Sequence, residues 1–254
     1  MSGKKCPTAE ARPGMKLASS IIKESGQVIL AEGTVLTASF IEKLKLMNLE
    51  FIDVAENAAA EAPTPTTSVE TFRAVYDNTL QVIENCFATT RYFKEVPLIQ
   101  MKELADTSVN LMADAAGVFG YLRIIRKQDD YTFQHSINVA IISGIVGKWV
   151  GLSGEELKDL IFAGLLHDIG KTQIPIEILN KPARLTQEEM KIMKSHTIEG
   201  YKMLLGEAGI NESILCGVLQ HHEKIDRTGY PSGISGEQIH PFAKIIAVAD
   251  IYDA

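Results

Sequence analysis

Every histidine of this chain, six in all, falls between positions 135 and 240, and two aspartates, Asp168 within that stretch and Asp250 just beyond it, interrupt apolar runs. His135 lies in Tyr131-Thr-Phe-Gln-His-Ser-Ile-Asn-Val-Ala140, with Val139, Ile142 and Val146 at helical spacing on roughly its own face. That sets an imidazole against a core. His167-Asp168 closes the run Leu160-Ile-Phe-Ala-Gly-Leu-Leu166, and Asp250 is embedded in Ile245-Ile-Ala-Val-Ala-Asp-Ile-Tyr252. A carboxylate in such a setting is strongly disfavoured unless a cation meets it. His196 sits in a helical run after Thr186, and His221-His222 ends one that begins near Asn211. One histidine on a half-buried helix is ordinarily a satisfied structural residue. Seven such groups need a common explanation, and a bound metal supplies it.

Imidazoles and carboxylates without thiolates suit iron, manganese, zinc or nickel. Two aspartates with at least four histidines exceed what one four-coordinate ion needs, so two ions bridged by Asp168 are expected. An ion pair about 3.5–4 Å apart is suited to in-line attack by a metal-activated hydroxide on a phosphorus centre. The expected reaction is hydrolysis of a phosphate ester. Lys171, in His-Asp-Ile-Gly-Lys, is placed to reach a substrate phosphate once Gly170 turns the chain out of its helix. The loop that follows the histidine pair carries Gly229-Tyr230-Pro231, which joins a flexible residue, an aromatic able to stack on a nucleobase and a rigid residue.

The elements that must hold these groups are helical. From Val69 onward strand alternation is almost absent, and helix signals recur: Ser153-Gly-Glu-Glu156 and Thr186-Gln-Glu-Glu189 fit the capping box. Gly170 and Gly206 lie where apolar-periodic runs stop, as expected for left-handed termination, and Pro241 stands near the start of the last run. Residues 1–56 differ: Ile21-Ile22, Val28-Ile29-Leu30 and Phe51-Ile52-Asp53-Val54 read as strands, with a turn at Ser25-Gly26. Phe40, Ile41, Leu44 and Met47 read as a helix among them. The stretch 57–68 is poor in large apolar residues and reads as a linker. The expected organisation is a small α+β domain over 1–56, a linker over 57–68 and a helical domain over 69–254.

A formal charge of −7 argues against adhesion to a nucleic-acid polymer, while a small anionic ligand could still be held by local metal and lysine charge. Neither a secretory signal nor a membrane span is legible, so a cytoplasmic protein is expected. Cys6, Cys86 and Cys216 form no Cys-x-x-Cys pair and suggest neither disulfides nor a thiolate metal site.

The combination His135, His167-Asp168-Ile-Gly-Lys171, His196, His221-His222-Glu223, Gly229-Tyr230-Pro231 and Asp250-Ile-Tyr-Asp-Ala254 resembles the HD-GYP family of the HD phosphohydrolase superfamily, over about residues 115–254. The N-terminal unit is similar to a short uncharacterised domain often found ahead of HD-GYP domains. The resemblance implies an all-α metal phosphohydrolase fold that hydrolyses the bacterial second messenger cyclic di-GMP to pGpG, and in some members on to GMP. It implies metal ligation by His135, His167, Asp168, His196, His221, His222 and Asp250, with two divalent ions, iron or manganese first and zinc or nickel as alternatives. Lys171 matches a phosphate-contacting lysine and Tyr230 a tyrosine lining the substrate pocket, between Gly229 and Pro231. Signalling proteins such as diguanylate cyclase domains, or a second copy of the chain, are the implied protein partners. Three departures stand out. Members with a third metal carry a glutamate where this chain has Tyr131, Arg227 replaces the first glycine of the family loop, and the family continues past Ala254, so a truncated core is expected. A non-hydrolysing signalling module, or a phosphohydrolase for another nucleotide such as cyclic GMP-AMP, are the competing readings.

Overall fold

The computed structural model describes residues 3–22, 28–36, 38–47, 49–55, 69–115, 117–125 and 131–254. The described residues group into two compact units: those up to 55 with Gln81–Met101, and 69–80 with Lys102–Ala254. The expected 57–68 linker and the Ser25-Gly26 turn lie outside the described residues.

In the first unit, strand β1 (Gly3–Pro7) pairs antiparallel with β4 (Phe51–Ala55), placing Cys6 opposite Ile52. Strand β2 (Ile21–Ile22) pairs antiparallel with β3 (Val28–Leu30), with a register irregularity between Ile21 and Ile22. Helix α1 (Ala38–Leu46) turns Phe40, Ile41 and Leu44 inward, as their spacing predicts, onto Leu17, Ile29, Leu30, Leu36 and Ile52. Each such fully buried side chain contributes roughly 1.5–3 kcal/mol. Strand β1 was not legible in the sequence because its exposed Gly3-Lys4-Lys5 face carries no alternation, as suits a charged sheet edge.

The rest is helical: α2 (Val69–Phe93), α3 (Leu98–Leu104), a π-helical stretch at Ala105–Val109, α4 (Asn110–Ala113), α5 (Val118–Ile125) and α6 (Tyr131–Trp149). There follow α7 (Gly154–Leu166), a 3-10 turn at Ile169–Gln173, α8 (Ile176–Leu179), α9 (Gln187–Lys194), α10 (His196–Leu204), α11 (Glu212–Gln220) and α12 (Pro241–Asp253). Helix α6 is buried all round from Gln134 to Ile145, which marks it as the central helix of the second unit. Helices α7 and α12 pack on it, α11 packs on both of those, and α10 packs on α11 and on the 3-10 turn. That packing brings the ends of α7 and α11 and the start of α10 together near the second turn of α6. No helix among the described residues is long and apolar enough to cross a membrane.

Local signals fared unevenly. Thr186 and Glu189 form the predicted capping box. Ser153 makes no cap bond, because Gly154 takes φ +58° and carries the first turn away from the box geometry. Gly206 ends its helix at φ +82° as predicted, whereas Gly170 has no positive φ and lies within the 3-10 turn. Its glycine answers a demand for space: a Cβ there would lie 1.9 Å from the His196 carbonyl oxygen and 2.5 Å from the Gly200 nitrogen. Pro241 opens α12, and the preceding His240 caps it by accepting the Phe242 amide at Nδ1, 3.1 Å.

Candidate metal centre

The predicted donors come together and are almost all buried, as two groups whose ligand atoms lie within 4.8 Å of one another: Asp168, His196, His221 and His222, then His135, His167 and Asp250. Asp168 faces both. Its Oδ1 lies 3.3 Å from His196 Nε2 and 4.0 Å from His221 Nε2, while its Oδ2 lies 3.2 Å from His167 Nε2 and 4.0 Å from His135 Nε2. Asp250 reaches His135 Nε2 at 3.0 Å and His222 Nδ1 at 3.8 Å. Lys171 donates to Asp168 Oδ2 at 2.6 Å from one turn along the chain.

The orientation of the rings tests whether a cation fits. His167, His196 and His221 each place Nδ1 against the carbonyl three residues back, those of Gly164, Met193 and Val218. A carbonyl only accepts, so each Nδ1 carries the proton and each Nε2 of a neutral ring carries a lone pair. Two of those lone pairs, on His196 and His221, face each other at 3.4 Å. The buried Nε2 of His167 and Oδ1 of Asp168 make no hydrogen bond, although both lie within ion-pair distance of neighbours. Converging lone pairs without a proton among them call for a cation, and nitrogen and oxygen donors suit a divalent transition metal.

The electrostatics agree. Burial depresses the pKa of His196, drives that of His221 well down, and takes His222 to about 4, so all three are neutral near pH 7. Burial works against ionisation of Asp168, but His167 and Lys171 hold its carboxyl well below the usual range. His135 goes the other way: burial would lower it, yet hydrogen bonds to Asp250 and Asp253 raise it to about 9.

The loop after His222 is tied to the centre. Glu223, buried and outside both donor groups, accepts the amides of Ser232 (2.6 Å), Gly233 (3.1 Å) and Ile234 (3.3 Å). The Tyr230 amide donates to the His222 carbonyl at 3.1 Å, before a cis Tyr230-Pro231 bond. Gly229 lies against the chain at Glu223, where a Cβ would come within 2.3 Å of the Lys224 nitrogen and 2.5 Å of the Glu223 Cα. One face of Tyr230 stacks on His222 at 4.7 Å between centroids, and Lys194 Nζ lies 5.0 Å from the same ring. Burial and the nearby Asp168 and Asp250 raise the tyrosine pKa, so its hydroxyl stays protonated. Arg227 takes φ +66°, the strain expected where the family loop has glycine.

Sequence reasoning missed Asp253, Glu223 and Lys194. Asp253 was legible as a second carboxylate three residues after Asp250, on the same helical face, and Glu223 as a charge directly after the histidine pair. The Tyr131 side chain, relevant to a third ion, lies outside what the structure describes.

Comparison with known proteins places this geometry. The HD domain family matches residues 121–254, more than half of the chain and all seven donors. A cyclic di-GMP phosphodiesterase of Pseudomonas aeruginosa is 33% identical over 173 residues, 68% of this chain and 42% of that protein. A cyclic di-GMP phosphodiesterase response regulator of Xanthomonas campestris is 42% identical, covering 52% of this chain and 35% of its own length. A 3'3'-cGAMP-specific phosphodiesterase of Vibrio cholerae is 36% identical over 52% of this chain and 30% of its own length. The chain thus spans less than half the length of these relatives. In fold it is similar to a solved HDG"Y"P protein from Bdellovibrio bacteriovorus, with a TM-score of 0.56 at 16% identity, covering 99% of this chain and 87% of that one. With the His-Asp pair closing α7, the remaining donors on the helices around it and a Gly-Tyr-Pro loop bound to the His221-His222 pair, the chain belongs to the HD domain family and, within it, to the HD-GYP family.

Proposed function

We propose that this chain is a metal-dependent phosphodiesterase that hydrolyses cyclic di-GMP to pGpG, GMP or both. The observation that carries the reading is Asp168, a buried carboxylate whose two oxygens face two separate sets of imidazoles. In this reading His135, His167 and Asp250 would hold one divalent ion and His196, His221 and His222 another, with Asp168 placed to serve both. That donor set suits iron, manganese, zinc or nickel, and the resemblance to the HD-GYP family favours iron or manganese. Two such ions, when bound, polarise phosphate oxygens and lower the pKa of a bound water.

The chain's own residues do the rest. Lys171, half-exposed above Asp168, offers its ammonium to a phosphate oxygen and offsets charge that builds up during displacement. Gly229, Tyr230 and Pro231 line the approach, with the protonated Tyr230 hydroxyl as a donor and the ring set between His222 and the Lys194 ammonium. Residues 1–56, ahead of a 57–68 linker, act as a sensory, docking or dimerisation unit, with a cyclase domain or a second copy as the partner.

The test is turnover of cyclic di-GMP by protein purified without oxygen and loaded with iron or manganese, read by product chromatography together with metal analysis. Absence of pGpG and GMP with either metal refutes the reading. Identity to a 3'3'-cGAMP-specific relative favours cyclic GMP-AMP as the second substrate to run in the same assay.

A further inference from the structure

Three of the imidazoles solve the problem of orientation in one way, and His135 solves it in another. His167, His196 and His221 lie just beyond the last turns of α7, α9 and α11, where terminal carbonyls lack intrahelical partners. Each ring is steered by one of those carbonyls, at 2.7, 2.9 and 2.8 Å. His135 lies inside α6, where carbonyls are already engaged by the helix. Its Nδ1–H goes instead to Asp253 Oδ2 at 2.8 Å.

Asp253 is itself held. Its Oδ1 accepts the Asn138 amide nitrogen at 2.9 Å, and Asn138 Oδ1 accepts the Tyr76 hydroxyl at 2.8 Å. All four side chains are buried. The tyrosine proton decides which end of the Asn138 amide faces Asp253: with the oxygen committed to Tyr76, the nitrogen must point at the carboxylate. Asp250 and Asp253, one turn apart on α12, therefore address opposite nitrogens of one ring.

We propose that Asp253 is a positioning residue for His135, locked by Asn138 and Tyr76, and that this relay sets the affinity of the centre for divalent ions. This rests on the metal-centre reading given above. A carboxylate acceptor at Nδ1 fixes the tautomer that leaves the Nε2 lone pair free, holds the plane of the ring, and makes Nε2 a stronger donor than a carbonyl acceptor does. His135 is thus the imidazole of the centre whose placement depends on residues outside its own helix.

The experiment uses the full chain, stripped with a chelator and titrated with manganese(II) by calorimetry, alongside thermal unfolding of the metal-free protein. Asp253→Asn is expected to weaken manganese binding about 10–100-fold, and Tyr76→Phe to weaken it several-fold while leaving the stacking on Phe72 in place. Asp159→Asn, which removes a carboxylate that accepts from Asn211 outside the centre, is expected to move the unfolding midpoint and not the affinity. Manganese binding by Asp253→Asn within twofold of wild type overturns the relay, as does an affinity loss of equal size in Asp159→Asn. Should Asp253→Asn fail to fold, Tyr76→Phe decides alone, and unchanged affinity there overturns the proposal. A wild-type chain that takes up no divalent ion overturns the metal reading itself, which separates the two failures.

Discussion

Gly170→Ala should dismantle the centre without touching any donor atom. The added Cβ would stand 1.9 Å from the His196 oxygen, 2.5 Å from the Gly200 nitrogen and 2.8 Å from the His196 carbonyl carbon, all of them backbone. Comfortable contact begins near 3.4 Å, so the 3-10 turn and the start of α10 must part by about 1.5 Å, several times the ~0.5 Å within which a preorganised site keeps its geometry. Asp168 precedes that turn and His196 opens α10, so the opening falls directly on the 3.3 Å approach of Asp168 Oδ1 to His196 Nε2. Overpacking costs about 1–3 kcal/mol where side chains can yield, and backbone yields less, so a loss of about 3 kcal/mol or more is expected.

Two measurements on one preparation test this: the urea midpoint of the metal-free chain, and manganese affinity. Gly200→Ala is the matched control. Its Cβ would meet the Val218 Cγ1 at 3.0 Å and the Gly170 nitrogen at 3.3 Å. A side-chain methyl can move, and alanine favours the helix by about 1 kcal/mol, so the control should stay within about 1 kcal/mol of wild type. If Gly170→Ala matches wild type in both measurements, or loses stability yet keeps wild-type affinity, the turn does not hold Asp168 against His196 in the way argued.

Other expectations follow from the same geometry. Glu223→Gln keeps one acceptor oxygen but turns an amide group toward the Ile234 N–H, and should cost about 2 kcal/mol in urea unfolding and raise the dinucleotide KM at unchanged metal content; equal midpoints would contradict the clamp. Arg227→Gly relieves a left-handed residue and should raise the thermal midpoint by the equivalent of about 0.5–1 kcal/mol, after the extra chain entropy of glycine is counted. In the metal-free chain His196, His221 and His222 have depressed pKa values, so the unfolded state binds more protons between pH 6.5 and 4. Their stabilisation is complete above 6.5 and is lost as the pH falls, roughly 3 kcal/mol from His222 alone. His135, raised to about 9, contributes fully below 6.5 and ceases to as the pH climbs through 9. Urea midpoints should therefore fall on both sides of neutrality, and a flat profile from pH 7 to 4.5 would contradict the assignment.

What the sequence could disclose was governed by how local the cause is. Donors were legible because a histidine or aspartate inside an apolar run is anomalous by itself, and Thr186-Gln-Glu-Glu189 because a capping box closes within four residues. Gly170 was legible as a glycine but not for its reason. Its requirement comes from α10, some thirty residues on, and the left-handed turn that explains Gly206 does not apply to it. Ser153 misled for the converse reason, since the box pattern was present but Gly154 broke the geometry between its ends.

The same distinction separates the imidazoles. A histidine just past a helix end finds its steering carbonyl three residues back, so the fold supplies His167, His196 and His221 with orientation from their own local chain. A histidine in mid-helix cannot, and must borrow a carboxylate from elsewhere, which for His135 lies 118 residues away at Asp253. Reading along the chain therefore finds the donors readily and finds their orienting partners only where these are local. In an HD-type centre, a ligand histidine drawn from the middle of a helix is thus a pointer to an acidic partner still to be found, and the carboxylate one turn beyond a ligand aspartate is the first place to look.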